Sequence, residues 1–425
     1  MSQFLGPDFN TPIAWLADLI APAFIRSSHN IEDIIIPEED KEMLRSLARE
    51  RLLFFTNHPS TAEPMIAYYI ANVMGSRFHY MTTRRAFDFL FGAASVLLRG
   101  LGCFSVIPGI ADKESMKMAR NILMEPKGKL VLFPEGEPMC GENDVLMPFQ
   151  PGIVRLSMSA YDDLQKIDSK ADISILSGFI KYKIKATTDH ILGDLIHSIQ
   201  NIENHLGLES GNRNLLRRFL MVGRVLLENG EREYGISFSR DEDYNFRIER
   251  LRHRILDKAA QKLRLESYNI EADAIRKLRH LTSVIELIEL KYPIQKLPVL
   301  NSQELKEIKR DCVRAYDFIT IKKDYLVSKP SPERFYEWLQ RFESLVLHKN
   351  PQAMGGVPSR LPRKAYIYFS KPFWVGEYYK EYKKDKKNGL NLLLFRIEHD
   401  MKALLNHSQE LTTPIVTPFD VSEYF

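Results

Sequence analysis

The chain has 425 residues, of which 44% are hydrophobic, 11% aromatic and 27% charged, with only 21 Gly and 22 Pro. This composition excludes collagen-like, mucin-like and wholly disordered classes and leaves a folded globular chain with about two or three domains' worth of core. The net charge of +4 is too small to single out nucleic acid, so an anionic partner has to be met by a local patch.

The N-terminus, MSQFLGPDFN, has no basic region followed by a long apolar core, so no secretory signal is visible. Residues 12–26, PIAWLADLIAPAFIR, read as an amphipathic helix with Trp15 and Phe24. Such a helix suits either a membrane interface or packing on a core. Apolar periodicity then predicts helix over 39–50, strand over 52–56, helix over 63–74, strand over 77–81 and helix over 87–98. Strand over 103–107, helix over 113–124, strand over 129–133, helix over 152–164 and a strand-like run over 171–186 follow. The most apolar stretch, residues 89–98, is bounded by Asp88 and Arg99 and is half the length of a membrane span. Strands alternating with helices imply a layered α/β domain.

From about residue 187 to 350 the pattern changes to long, charged, helix-periodic segments. In one of them Ile248, Leu251, Ile255, Ala259 and Leu263 form an apolar stripe, and Arg247, Arg250, Arg254, Lys258 and Lys262 lie largely off it as a basic face. No aromatic-interleaved basic surface accompanies that face, so nucleic acid is not expected as a partner. Residues 352–362 break helicity with two Gly and two Pro. Residues 365–373 are strand-like again, the run 378–387 carries five Lys as a surface loop or a lipid contact, and 390–406 read as a closing helix. Cys103, Cys140 and Cys312 are far apart and lack CxxC spacing, which argues against a disulfide framework and a zinc site and for a reduced, cytosolic chain.

Two segments concentrate the chemistry. NHPSTAEP, residues 57–64, follows the strand LLFFT, so His58 stands at a strand's C-terminal end and Glu63 opens the next helix. That spacing makes either an oriented acid-base pair or a helix cap with a loop histidine. KLVLFPEGE, residues 129–137, runs a second strand into a Pro-Glu-Gly turn bearing Glu135 and Glu137. GCFSVIP lies between them at 102–108, and NDVLMPFQPGIVRLSMSA follows at 143–160.

This ordered set of four blocks resembles the lysophosphatidate and glycerol-phosphate acyltransferase superfamily. HPSTAE matches its His-x4-acid block, with Glu63 in place of the usual Asp; FPEGE matches its Phe-Pro-Glu-Gly block, and MPFQPGIVRLS its fourth. The resemblance covers about residues 30–185, and AYIYFSKPFWV with the helix after it looks like the closing strand and helix. Pro108 stands where the family has an Arg at the end of its second block.

The resemblance implies an α/β fold: a layered acyltransferase domain with a mixed central sheet, interrupted by a long α-helical insertion before its last strand and helix. The expected organisation is an N-terminal amphipathic segment over 1–30, the acyltransferase domain over 31–186 plus 362–411, the insertion over 187–361 and a tail over 412–425. The implied activity is O-acyl transfer from an acyl thioester to a hydroxyl of a lysophosphatidate-like glycerolipid, as in phospholipid biosynthesis. His58 acts as general base oriented by Glu63, with no metal and no bound cofactor. Asn57, Phe133, Pro134, Glu135, Gly136 and Glu137 are the implied substrate contacts, and Arg84, Arg85 and Lys113 the cations that replace the missing Arg. Acyl-CoA or acyl-carrier protein is the implied donor, a lysolipid the acceptor, and the cytoplasmic face of a membrane the place of work. Other lysophospholipid or amino-lipid acceptors, or a non-catalytic lipid-binding scaffold, are the alternatives.

Overall fold

The computed structural model describes residues 4–110, 112–136, 144–239, 241–293, 297–347 and 360–421. In chain order the first unit runs α1 (Thr11–His29), β1 (Ile31–Ile35), α2 (Glu38–Ser46), β2 (Leu52–Thr56), α3 (Glu63–Met74), β3 (His79–Thr83), α4 (Arg84–Phe87) and α5 (Ala93–Gly100). It continues with β4 (Cys103–Val106), α6 (Lys113–Met124), β5 (Lys129–Leu132), α7 (Gly152–Ile167) and β6 (Ser174–Ile184). A helical segment then carries α8 (Thr188–Leu206), α9 (Leu215–Glu233), α10 (Tyr244–Lys262), α11 (Ala274–Glu289), α12 (Ser302–Thr320), α13 (Lys323–Ser328) and α14 (Pro332–Leu347). The chain closes with β7 (Arg363–Phe369), β8 (Phe373–Trp374), α15 (Gly376–Lys384) and α16 (Lys386–Ser408). It divides into two compact units, 1–183 with 363–411 and 184–362 with 412–425.

The first unit is built on one sheet in the order β1-β7-β6-β2-β5-β3-β4, with β8 pairing β6. Strands β6, β2, β5, β3 and β4 run parallel. The amide of Lys185 bonds the carbonyl of Pro362 and that of Ser370 bonds the carbonyl of Ser177, so β7 runs against β6. β1 is parallel to β7 and β8 antiparallel to β6, which makes the sheet mixed and mostly parallel. All five residues of β2 are buried, as a central strand covered on both faces requires. The period of two divides them: Leu52 and Phe54 join Ile66, Ile70, Ile180 and Ala365 on one face, and Leu53 and Phe55 join Ile122, Ile153, Phe179 and Ile397 on the other.

Four expectations shift. Gly92, at φ +89, breaks the helix expected over 87–98, so the segment is α4, a 3-10 turn and α5. Gly75 ends α3 in the left-handed conformation, and the strand expected over 77–81 starts later, where Tyr80–Thr83 pair with Cys103–Val106. β1 was not foreseen. The lysine-rich run 378–387 enters helix α15, where Lys383 and Tyr379 both reach Asp162.

The second unit buries Ile191, Leu195, Leu216, Phe219, Phe335, Trp338 and Phe342 in its own core. The apolar stripe of α10 is buried, and so is Arg247, expected on the basic face. Its guanidinium makes a two-pronged pair with Glu231, Nε to Oε1 at 3.1 Å and Nη2 to Oε2 at 2.6 Å. Arg250 pairs with Glu242 and Lys262 with Asp311, so much of that face is neutralised by carboxylates.

Candidate active site

His58 lies just past the C-terminal end of β2, the edge of a parallel sheet where ligand-binding loops collect. Asn57 fixes its approach. The buried Asn57 amide continues the ladder to β6, Nδ2 donating to the Ile180 carbonyl at 3.0 Å and Oδ1 accepting the Ile180 amide at 2.8 Å. Asn57 therefore serves the backbone that carries His58, and its polar atoms face inward.

The His58 ring is held on two sides. Nδ1 lies 2.9 Å from Glu63 Oε2, and the ring stacks on Phe133 with centroids 4.2 Å apart. With Nδ1 donating to the carboxylate, the tautomer is set and Nε2 is the nitrogen left to accept a proton. Nε2 makes no hydrogen bond among the described residues.

Glu63 is fully buried at the first position of α3, followed by Pro64. Its Oε2 also accepts the Ser60 amide at 2.9 Å, so the carboxylate reaches back to the loop that precedes α3. Ser60 Oγ donates to Oε1 at 2.8 Å and accepts the Ala62 amide at 3.1 Å. Tyr182, on β6, donates its hydroxyl to the same Oε1. No side chain among the described residues caps α3, whose N-cap is Ala62, so of the two readings the segment offers the structure shows the histidine–carboxylate pair and not the helix cap. Ser60 and Tyr182 were missed; the Ser-x-x-Glu spacing was the available signal for the first, whereas a contact 119 residues away in sequence left none for the second.

Glu135 is buried at 1% exposure and ties three of the four blocks together. Oε1 accepts the amide of His58 at 2.9 Å and Oε2 that of Met147 at 2.8 Å. Burial raises its pKa above the ordinary carboxylate value, while those two amides and the His58 charge act the other way. The turn around it closes with Gly136 N to Phe133 O at 2.9 Å and Gln150 N to Pro134 O at 2.7 Å. Gly136 sits at φ +86, where a side chain would strain the backbone and crowd Gln150. Glu137 and Cys140 lie outside the described residues.

The three cations stand farther along the same edge. Arg84 and Arg85 follow β3 and Lys113 opens α6 beyond β4, so they lie two and three strands from β2. At about 4.8 Å per strand this is roughly 10 and 14 Å. Arg84 pairs with Asp88 at 2.6 Å, and Arg85 and Lys113 are exposed.

A histidine paired through Nδ1 with a buried carboxylate at a sheet edge is an arrangement that is chemically able to accept a proton from a hydroxyl. Residues 35–179 match the family model for acyltransferases. These residues therefore form an acyltransferase domain, the domain of glycerolipid acyltransferases such as the PlsC-like enzymes, which supports general acyl transfer to lipid acceptors. No curated relative and no solved structure matches the chain.

Proposed function

We propose that this chain transfers a fatty acyl group from an acyl thioester to a hydroxyl of a lysophosphatidate-like glycerolipid, with His58 as general base and Glu63 as its orienting partner. The observation that carries this reading is the Nδ1 to Oε2 bond of 2.9 Å within the family-matched region, which leaves Nε2 open.

The step follows from that geometry. Nε2 takes the acceptor's hydroxyl proton as the oxygen attacks the thioester carbonyl, and Glu63 stabilises the imidazolium that forms. Collapse of the tetrahedral intermediate breaks the carbon–sulfur bond, and the imidazolium returns the proton to the thiolate. No acyl-enzyme is needed. Burial raises the pKa of the Cys103 thiol to about 12, which makes it a poor nucleophile. Arg84, Arg85 and Lys113 supply positive charge along the edge for the acceptor phosphate and for an acyl-CoA or acyl-carrier-protein donor.

Membrane contact is proposed from α1. Small residues Ala14 and Ala17 with Ile25 face inward, while Trp15, Leu16, Leu19, Ile20 and Phe24 face outward, Leu19 at 78% exposure. Phe89, Val96 and Leu97 are also exposed near α5, which packs on α1 where Ile13 covers Gly100. Large apolar groups turned outward beside one another fit a bilayer surface. Among the described residues no helix is long and apolar enough to cross a membrane.

The test offers purified full-length chain a mixture of lysolipids with acyl-CoA or acyl-carrier-protein thioesters and identifies products by mass spectrometry. Diacyl product formed by the wild type and lost in a folded His58→Ala variant supports the reading. Transfer undiminished in that variant, or no thioester consumed with any acceptor, sinks it. Because Pro108 stands in for the block's Arg, the same panel decides between lysophosphatidate and another lysophospholipid or an amino-lipid.

A further inference from the structure

The Glu63 carboxylate is held by more donors than a bare histidine pair needs, and one comes from outside the region that carries the family match. Oε2 is shared by His58 Nδ1 and the Ser60 amide, and Oε1 by Ser60 Oγ and the Tyr182 hydroxyl. Tyr182 lies on β6 beyond residue 179, where the match ends. Its ring is covered by the Arg363 guanidinium, 4.5 Å from the ring centroid. Arg363 is 2% exposed, opens β7, and donates Nη2 to the carbonyl of His29 at 2.9 Å. The titratable groups around the carboxylate are thus His58 and Glu135 on the loop side, Tyr182 and Arg363 behind it, and His29 at the end of α1.

A glutamate that opens a helix has one more rotatable bond than an aspartate and has competing backbone amides beside it. Pinning its far oxygen decides where the near oxygen points. Burial and the neighbouring carboxylate hold Tyr182 well above the ordinary phenol pKa, so it donates as a neutral hydroxyl.

We propose that Tyr182, braced by Arg363, is a positioning residue that fixes the Glu63 carboxylate and through it the tautomer of His58, so that the site is completed by strands β6 and β7. Its consequence for rate rests on the acyl-transfer reading; its consequence for the imidazole does not.

The experiment uses full-length chain labelled with 15N-histidine, at a pH where His58 is neutral, as wild type, Tyr182→Phe, Glu63→Gln and the double variant. Tyr182→Phe keeps the ring and its stack on Arg363, and a melting curve checks the fold. The wild-type shifts should report His58 as the Nδ1–H tautomer, and Tyr182→Phe should move them toward a mixture. In the Glu63→Gln background Tyr182→Phe should add nothing, because the residue acts through Glu63. Arg363→Met should move the shifts in the same direction by less. With a working assay, Tyr182→Phe should lower kcat by about 10- to 100-fold, the range of a hydrogen bond to an ionised group, with KM unchanged. An unchanged tautomer in Tyr182→Phe, or an effect equally large in the Glu63→Gln background, overturns the proposal. Failure of the wild type to acylate any lysolipid would overturn the acyl-transfer reading and leave the tautomer result standing.

Discussion

At the scale of single residues, the site separates groups that face chemistry from groups that hold them. His58→Ala should lower acyl transfer by about 10²- to 10⁴-fold, the usual contribution of a general base, with an unchanged melting curve. Glu135→Ala should instead lower stability. It leaves the amides of His58 and Met147 buried without their acceptor, at about 1 to 3 kcal/mol each. A lower denaturation midpoint, with Glu135→Gln less affected because its amide oxygen still accepts one bond, is the outcome to look for. His58 and Glu135 were legible in sequence because each follows the end of a strand, and Glu63 because it opens the helix after β2. Which of them faces outward was not, because a Pro-Glu-Gly turn reads the same whether its carboxylate meets a ligand or two amides.

At the scale of elements, α1 inverts the usual amphipathic logic, since its small side chains are inside and its large ones outside. A double substitution Leu19→Glu with Ile20→Glu should therefore leave the fold intact and weaken binding to anionic lipid vesicles. Each side chain forfeits a transfer energy of about 1.5 to 3 kcal/mol, so the loss in sedimentation assays should exceed tenfold. Turnover of a short-chain, monomeric acceptor should be unaffected; equal loss there would mean that the face packs on protein. The sequence showed that this segment is amphipathic but left both destinations open, because which face turns inward depends on what α3 and α5 present. Tyr68 on α3 settles it by bonding the Ala14 carbonyl and Asp18. β1 escaped notice for a similar reason. Its alternation, IEDII, is short, and its pairing with β7 joins segments more than 300 residues apart in the chain.

At the scale of the whole molecule, the closing segment is not an appendage. β7 lies between β1 and β6, so a chain cut after residue 186 loses an interior strand and leaves two unpaired edges. Such a fragment should be insoluble although it contains the whole family-matched region. The helical segment is different in kind. Its two ends are adjacent, the Lys185 amide bonding the Pro362 carbonyl at 2.8 Å, and its apolar core is made of its own residues with Ile415, Val416 and Val421 of the C-terminal tail packed against them. Joining residue 186 to 362 through a short Gly/Ser linker and ending the chain at residue 411, so that the tail leaves with the unit it packs on, therefore replaces one closure by a much shorter one, which costs little entropy. The joined chain should be soluble and melt cooperatively, and 15N-histidine spectra should report the same His58 tautomer as in the full chain, because Tyr182 and Arg363 are both retained. A joined chain that melts without cooperativity would show that the helical unit supplies part of the first unit's stability. A folded one with an altered His58 tautomer would show that the buried carboxylate depends on the helical unit as well as on β6 and β7.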